Sequence, residues 1–150
     1  MMIVSNEKET QNIAKKISRS IEGSNLVLCL NGDLGSGKTT FTRYLIRSLQ
    51  SNKLTNEIPS PTFNIVNEYK IDEITINHYD LFKLKDPKEL YNIGLFENNP
   101  ETVTLVEWPG IISNKPKNII ELYFSYENDF KERRLEIFSE YRKEIINEFK

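Results

Sequence analysis

Leu26-Val27-Leu28-Cys29-Leu30-Asn31-Gly32-Asp33-Leu34-Gly35-Ser36-Gly37-Lys38-Thr39-Thr40-Phe41 decides how this chain folds. It opens with an unbroken apolar run, the pattern of a strand buried on both faces. The glycines then interrupt any regular period. From Lys38 onward Phe41, Leu45 and Leu49 recur four residues apart, which predicts a helix. The stretch Gly32 to Thr39 fits G-x-x-x-x-G-K-[ST] at every fixed position, a match expected by chance in roughly one chain of this length in two hundred. The spacing has a physical reason. Glycines let successive backbone N–H groups turn toward phosphate oxygens, and the following helix aims its positive dipole end at them. Lys38 then reaches the β- and γ-phosphates, and the Thr39 hydroxyl can ligate Mg²⁺. Gly32, Asp33, Leu34, Gly35, Ser36, Gly37, Lys38, Thr39 and Thr40 are therefore the candidate ATP-binding residues.

Working outward, residues 6 to 22 predict an amphipathic helix, with Ile13, Ile17 and Ile21 on one face, a capping box at Asn6 and Glu9, and Gly23 as its stop. Residues 51 to 62 carry Pro59 and Pro61 and predict an irregular connection. Phe63 to Ile71 and Glu73 to Tyr79 predict two strands about a turn near Asp72. Asp86-Pro87 opens a short helix, with Asp86 as its cap. Val103 to Trp108, Ile119 to Tyr126 and Arg134 to Phe138 predict further strands, and Tyr141, Ile145 and Phe149 line one face of a last helix. There is no internal repeat or low-complexity linker. The expectation is one α/β domain over residues 1–150, a phosphate-loop NTPase-like mixed sheet flanked by helices.

Composition narrows the function. The chain has 150 residues, 20 basic against 22 acidic, for a formal net charge of −2. That balance speaks against a protein that grips nucleic acid strongly by itself. Cys29 is the only cysteine and His78 the only histidine, so an internal disulfide and a Cys- or His-rich metal centre are excluded. No run approaches the roughly 18 apolar residues of a membrane span, and the N-terminus lacks the apolar core of a signal peptide. A soluble, cytoplasmic protein is expected.

The phosphate loop alone names neither nucleotide nor reaction. Guanine selectivity normally needs N-K-x-D, and Asn114-Lys115-Pro116-Lys117 lacks the Asp. Kinases usually need arginines on a mobile lid, and arginine is scarce here. ATP hydrolysis is the default, with a nucleotide-dependent binding switch and a small-molecule kinase as alternatives. Hydrolysis needs acidic groups opposite the loop. Glu107 ends Val103-Thr104-Leu105-Val106-Glu107, on the face of Val103 and Leu105 and at the C-terminal strand edge where α/β sheets bind ligands. Asp80 follows Ile74, Ile76 and His78 with period two and shares the face of the buried isoleucines. Two readings stand for each carboxylate: a metal or water ligand, or a strand-end and turn residue. Ser60-Pro61-Thr62-Phe63 occupies the place of a first switch, with Ser60 and Thr62 as switch residues and Thr62 able to sense the γ-phosphate or its Mg²⁺, against a simple Pro-containing turn. His78 is expected to be a hydrogen-bonded structural residue and Cys29 core. Alternation puts Trp108 on the face opposite Glu107. Lys131 to Arg134 is taken as a solvated turn and strand edge, with partner contact as the alternative.

These pieces in this order resemble the bacterial TsaE-type ATPases of tRNA threonylcarbamoyladenosine synthesis. The matching residues are Gly32 to Phe41, Ser60-Pro61-Thr62-Phe63, His78-Tyr79-Asp80-Leu81-Phe82-Lys83, Ile93-Gly94-Leu95 and Leu105-Val106-Glu107-Trp108-Pro109. Phe82 and Lys83 stand where the family usually has Tyr and Arg, and Lys lacks the planar donor fork of Arg. The resemblance implies a small Mg²⁺-dependent ATPase whose partners are the threonylcarbamoyl-transferase subunits. Those subunits modify an adenosine beside the tRNA anticodon, and hydrolysis supports their repeated turnover. It further implies Lys38, Asp80 and Glu107 as catalytic residues, Thr39, Glu107 and Asp80 as metal ligands, and Trp108 beside the bound nucleotide.

Overall fold

The apolar run around Cys29 becomes the middle strand of a sheet. The computed structural model describes residues 2–4, 7–19, 26–33, 35–49, 65–71, 74–95, 102–116, 119–127 and 132–139. Along the chain come β1 (Met2–Val4), α1 (Glu7–Arg19), β2 (Val27–Asn31), α2 (Lys38–Leu49), β3 (Val66–Ile71) and β4 (Ile74–Asp80). A 3-10 helix (Pro87–Asn92), β5 (Thr102–Glu107), a 3-10 turn (Pro109–Ile111), β6 (Ile119–Glu127) and β7 (Glu132–Phe138) follow. Among the described residues the seven strands form one sheet in the order β1-β7-β6-β2-β5-β4-β3. β2 runs parallel to both its neighbours, β5 and β6, and β4 runs parallel to β5. The β3–β4, β6–β7 and β1–β7 pairs are antiparallel. This is the mixed α/β sheet that the sequence predicts.

Alternation along the strands divides the core in two. Leu28 and Leu30 of β2, Val103 and Leu105 of β5, and Ile120, Leu122 and Phe124 of β6 face α1 and α2, which bring Ile13, Ala14, Ile17, Phe41, Leu45 and Ile46. Burying each such side chain is worth about 1.5–3 kcal/mol. Val27, Cys29, Tyr79 and Val106 point the other way, where Leu90 and Ile111 of the 3-10 segments and the following Ile112 cover them. Among the described residues both α-helices therefore lie on one face, and the opposite face is covered by short 3-10 segments. Asp86 caps the first of these, its carboxylate accepting the N–H of Lys88 at 2.9 Å. The predicted capping box at Asn6, the stop at Gly23, the turn at Asp72 and the last helix lie outside the described residues. β1 was not expected. Only Met2, Ile3 and Val4 form it, by pairing with Leu135, Arg134 and Arg133 at the sheet edge, too few residues to show a period.

Candidate functional site

β2 ends at Asn31 and α2 starts at Lys38, so the loop between them sits at the C-terminal edge of the central strand. Gly32, Gly35 and Gly37 have φ of 148°, 76° and 115°, values that L side chains rarely adopt. The space around them is equally restrictive. A Cβ on Gly32 would sit 2.5 Å from the Phe124 carbonyl oxygen. The loop turns back at once, with the Ser36 N–H donating to the Asp33 carbonyl at 3.1 Å, and the Phe41 N–H donates to the Gly37 carbonyl at 2.9 Å as the helix begins. The Ser36 hydroxyl is buried with no hydrogen-bond partner, a polar atom inside the loop that suits a phosphate oxygen.

Lys38 is 5% exposed and folds back over its own loop, donating to the carbonyls of Gly32 and Asp33. Burial pulls its ammonium below the ordinary lysine value, and the negative charges of Glu107, Asp80 and Asp33 push it back up. Its Nζ lies 3.7 Å from the centre of the Trp108 ring, a cation–π contact.

The two carboxylates arrive on adjacent parallel strands. Asp80 ends β4 and Glu107 ends β5, and the two are register partners. Glu107 is 2% exposed. Its Oε1 lies 3.4 Å from the Thr39 hydroxyl, which donates to it, and its Oε2 lies 2.8 Å from His78 Nε2. An ionised carboxylate only accepts, so Nε2 carries the proton in this pair. Asp80 also shapes the turn after β4, its Oδ1 accepting the Phe82 N–H at 3.0 Å. Gly35, Gly37, Lys38, Thr39, Thr40, Asp80, Glu107 and Trp108 line one cavity. Hydroxyl and carboxylate oxygens of this kind match the hard-donor preference of Mg²⁺. Among the described residues no group of three His, Cys, Asp or Glu is placed to hold a metal by itself.

Trp108 departs from the expected alternation. Its backbone is left-handed, φ 58° and ψ 57°, so the strand period ends at Glu107 and the indole turns to the phosphate loop rather than to the opposite face. Phe82 packs on the indole with ring centres 4.9 Å apart.

One wall of the loop was read otherwise in the sequence. The Tyr126 hydroxyl donates to the Gly35 carbonyl, and Arg133 Nη1 lies 3.2 Å from where a Cβ on Gly37 would stand. Arg133 is thus not part of a merely solvated edge. The available signal was alternation from Phe124 and Leu135, which carries Tyr126 and Arg133 onto the helix face. Leu34, Ser60 and Thr62 lie outside the described residues, as does the rest of the Ser60 to Phe63 segment.

The family model for the threonylcarbamoyl adenosine biosynthesis protein TsaE matches residues 4–135. The tRNA threonylcarbamoyladenosine biosynthesis protein TsaE of Rickettsia bellii is 41% identical over 140 residues, 93% of this chain and 94% of that protein. The protein of the same name in Rickettsia felis is 45% identical over 114 residues, and the match spans 76% of this chain and 65% of that protein. The crystal structure of Bacillus subtilis YdiB superposes with a TM-score of 0.72 at 26% identity, over 98% of this chain and 90% of that one.

Proposed function

Because the chain belongs to the TsaE family, we propose that it is an Mg²⁺-dependent ATPase that serves tRNA threonylcarbamoyladenosine biosynthesis by sustaining turnover of the threonylcarbamoyl-transferase subunits. The observation that carries the reading is the meeting of the phosphate loop with the two strand-end carboxylates, Thr39 Oγ1 lying 3.4 Å from Glu107 Oε1 with Asp80 in register beside it. The loop N–H groups and Lys38 bind the β- and γ-phosphates and neutralise their charge. To do so Lys38 exchanges its present acceptors, the Gly32 and Asp33 carbonyls, for phosphate oxygens. Thr39, Glu107 and Asp80 are the residues that would hold Mg²⁺, which supplies charge neutralisation at the γ-phosphate. Asp80, which reaches the cavity from β4, orients the water. That water's oxygen bonds to the γ-phosphorus while the bond to the β–γ bridging oxygen breaks, giving ADP and phosphate. The acceleration comes from positioning and fixed charge rather than from a covalent step.

The acidic net charge suits a subunit that leaves the tRNA to its partners. Among the described residues no helix is long and apolar enough to cross a membrane. The test is reconstitution of multiple-turnover tRNA modification by the transferase subunits with ATP, with and without this chain. The chain is expected to raise the yield beyond one product per transferase complex, and Lys38→Ala to remove that gain. Equal yields in all three reactions would refute the proposal.

A further inference from the structure

We propose that Arg133 is a second phosphate-binding cation of the nucleotide site, reaching the α- and β-phosphates from the β7 side while Tyr126 holds the loop in place for it. The inference rests on the nucleotide-binding reading above. Tyr126 and Arg133 are register partners at the end of the β6–β7 hairpin where the chain passes from one strand to the other. Both share the face of Phe124 and Leu135, the face that carries α2 and the phosphate loop. The hairpin touches that loop twice, at the Gly35 carbonyl through the Tyr126 hydroxyl and at Gly37 through the guanidinium.

The sheet order gives the direction. β7 and β6 lie on one side of β2, and β5 and β4, with Glu107 and Asp80, lie on the other. The magnesium and γ-phosphate end belongs with the carboxylates. The nucleoside end of a polyphosphate held by the loop therefore extends toward β6 and β7. There the loop's own ammonium is no help, because Lys38 Nζ is aimed across the loop at the Trp108 ring. Arg133 brings a planar, permanently charged donor fork, which suits two oxygens of neighbouring phosphates. Its sequence neighbour Arg134 is committed to Glu136 at 3.5 Å, whereas Arg133 has no carboxylate partner among the described residues. A cation held against a phosphate loop is placed for a ligand contact.

The experiment is a calorimetric titration of Mg-ADP and of a non-hydrolysable Mg-ATP analogue into the wild-type chain, Arg133→Gln, Arg133→Lys and Lys38→Ala. Arg133→Gln is expected to weaken both nucleotides by about tenfold or more, the range for losing a hydrogen bond to a charged group. Arg133→Lys should recover part of the loss, with an unchanged unfolding midpoint in each. Unchanged ADP affinity in Arg133→Gln, alongside lost binding in Lys38→Ala, overturns this proposal and leaves the nucleotide reading intact. A loss confined to the ATP analogue also overturns it, because the guanidinium would then serve the γ-phosphate. Wild-type ADP affinity in Lys38→Ala overturns both. A measurement free of any folding defect is arginine modification of the wild-type chain by phenylglyoxal, followed at Arg133 by mass spectrometry. Mg-ADP is expected to protect Arg133 at saturation, and equal modification with and without nucleotide refutes the contact.

Discussion

Breaking the His78–Glu107 contact tests whether Glu107 is held in place before any ligand arrives. The two side chains are 0% and 3% exposed, and Nε2 lies 2.8 Å from Oε2. That length is typical of a charge-assisted hydrogen bond, worth about 1.5–3 kcal/mol when one partner is ionised. An exposed pair would be worth only about 0–1 kcal/mol. A single substitution cannot isolate this energy, because His78 also buries an Nδ1 with no partner. Removing the imidazole deletes that unfavourable group together with the favourable contact. A double-mutant cycle with His78→Leu, Glu107→Leu and the combined variant removes the contact and cancels the Nδ1 contribution. The expected coupling is about 2 kcal/mol, measured as unfolding free energy in urea at pH 7 by circular dichroism, with equal slopes across the four proteins. A coupling below about 0.5 kcal/mol would refute the view that His78 fixes the carboxylate.

Glu107→Ala and Asp80→Ala are each expected to cut Mg²⁺-dependent hydrolysis at least about 100-fold, the scale of losing one electrostatic stabiliser; wild-type rates in a phosphate-release assay would remove both from the mechanism. Mg-nucleotide should produce a saturable change in the fluorescence of Trp108, because Lys38 must leave the indole face to meet phosphate, and tight binding without such a change would refute that movement. Burial pushes the Cys29 thiol up to about 12. A folded value above the unfolded one means that the stability it contributes is fully present at neutral pH and falls away as pH rises from about 9 toward about 12. In the same way a thiolate-specific reagent at pH 8 should label Cys29 only as fast as the chain unfolds, and rapid labelling under native conditions would contradict its place in the core.

Much of this arrangement was legible in the residues because strand side chains have a period of two. Ile76, His78 and Asp80 share a face with one another, and so do Val103, Leu105 and Glu107, which carries each carboxylate to its strand end, while the pairing of β4 with β5 is what sets the two side by side. The loop was legible for a different reason: its glycines, its lysine and its threonine are each demanded by backbone geometry or phosphate chemistry. What failed was inference across a break in period. Trp108 has a left-handed backbone, which nothing in Glu-Trp-Pro announces, so continuing the alternation by one residue sent the indole to the wrong face. Arg133 was obscured by its charged neighbours, which look alike in sequence and differ only in what lies across the sheet. β1 depends on a partner strand more than a hundred residues later, and a stretch as short as Met2–Val4 has no local signature of that.

The central place of β2 has a consequence for how the protein is made. The phosphate loop is synthesised before both neighbours of β2, since among the described residues the strand that supports it pairs with residues 104–107 and 119–123. Contacts of such long range must wait for the intervening chain, which makes them slow to form. A growing polypeptide that has passed Lys38 but not β6 therefore carries the nucleotide motif on an apolar strand with an unpaired edge, a surface prone to joining its like. Nucleotide can bind a finished loop only once β6 has been made. The same dependence means that removing β7 and β6 would bare one edge of β2, and would turn a buried strand into an aggregation-prone one.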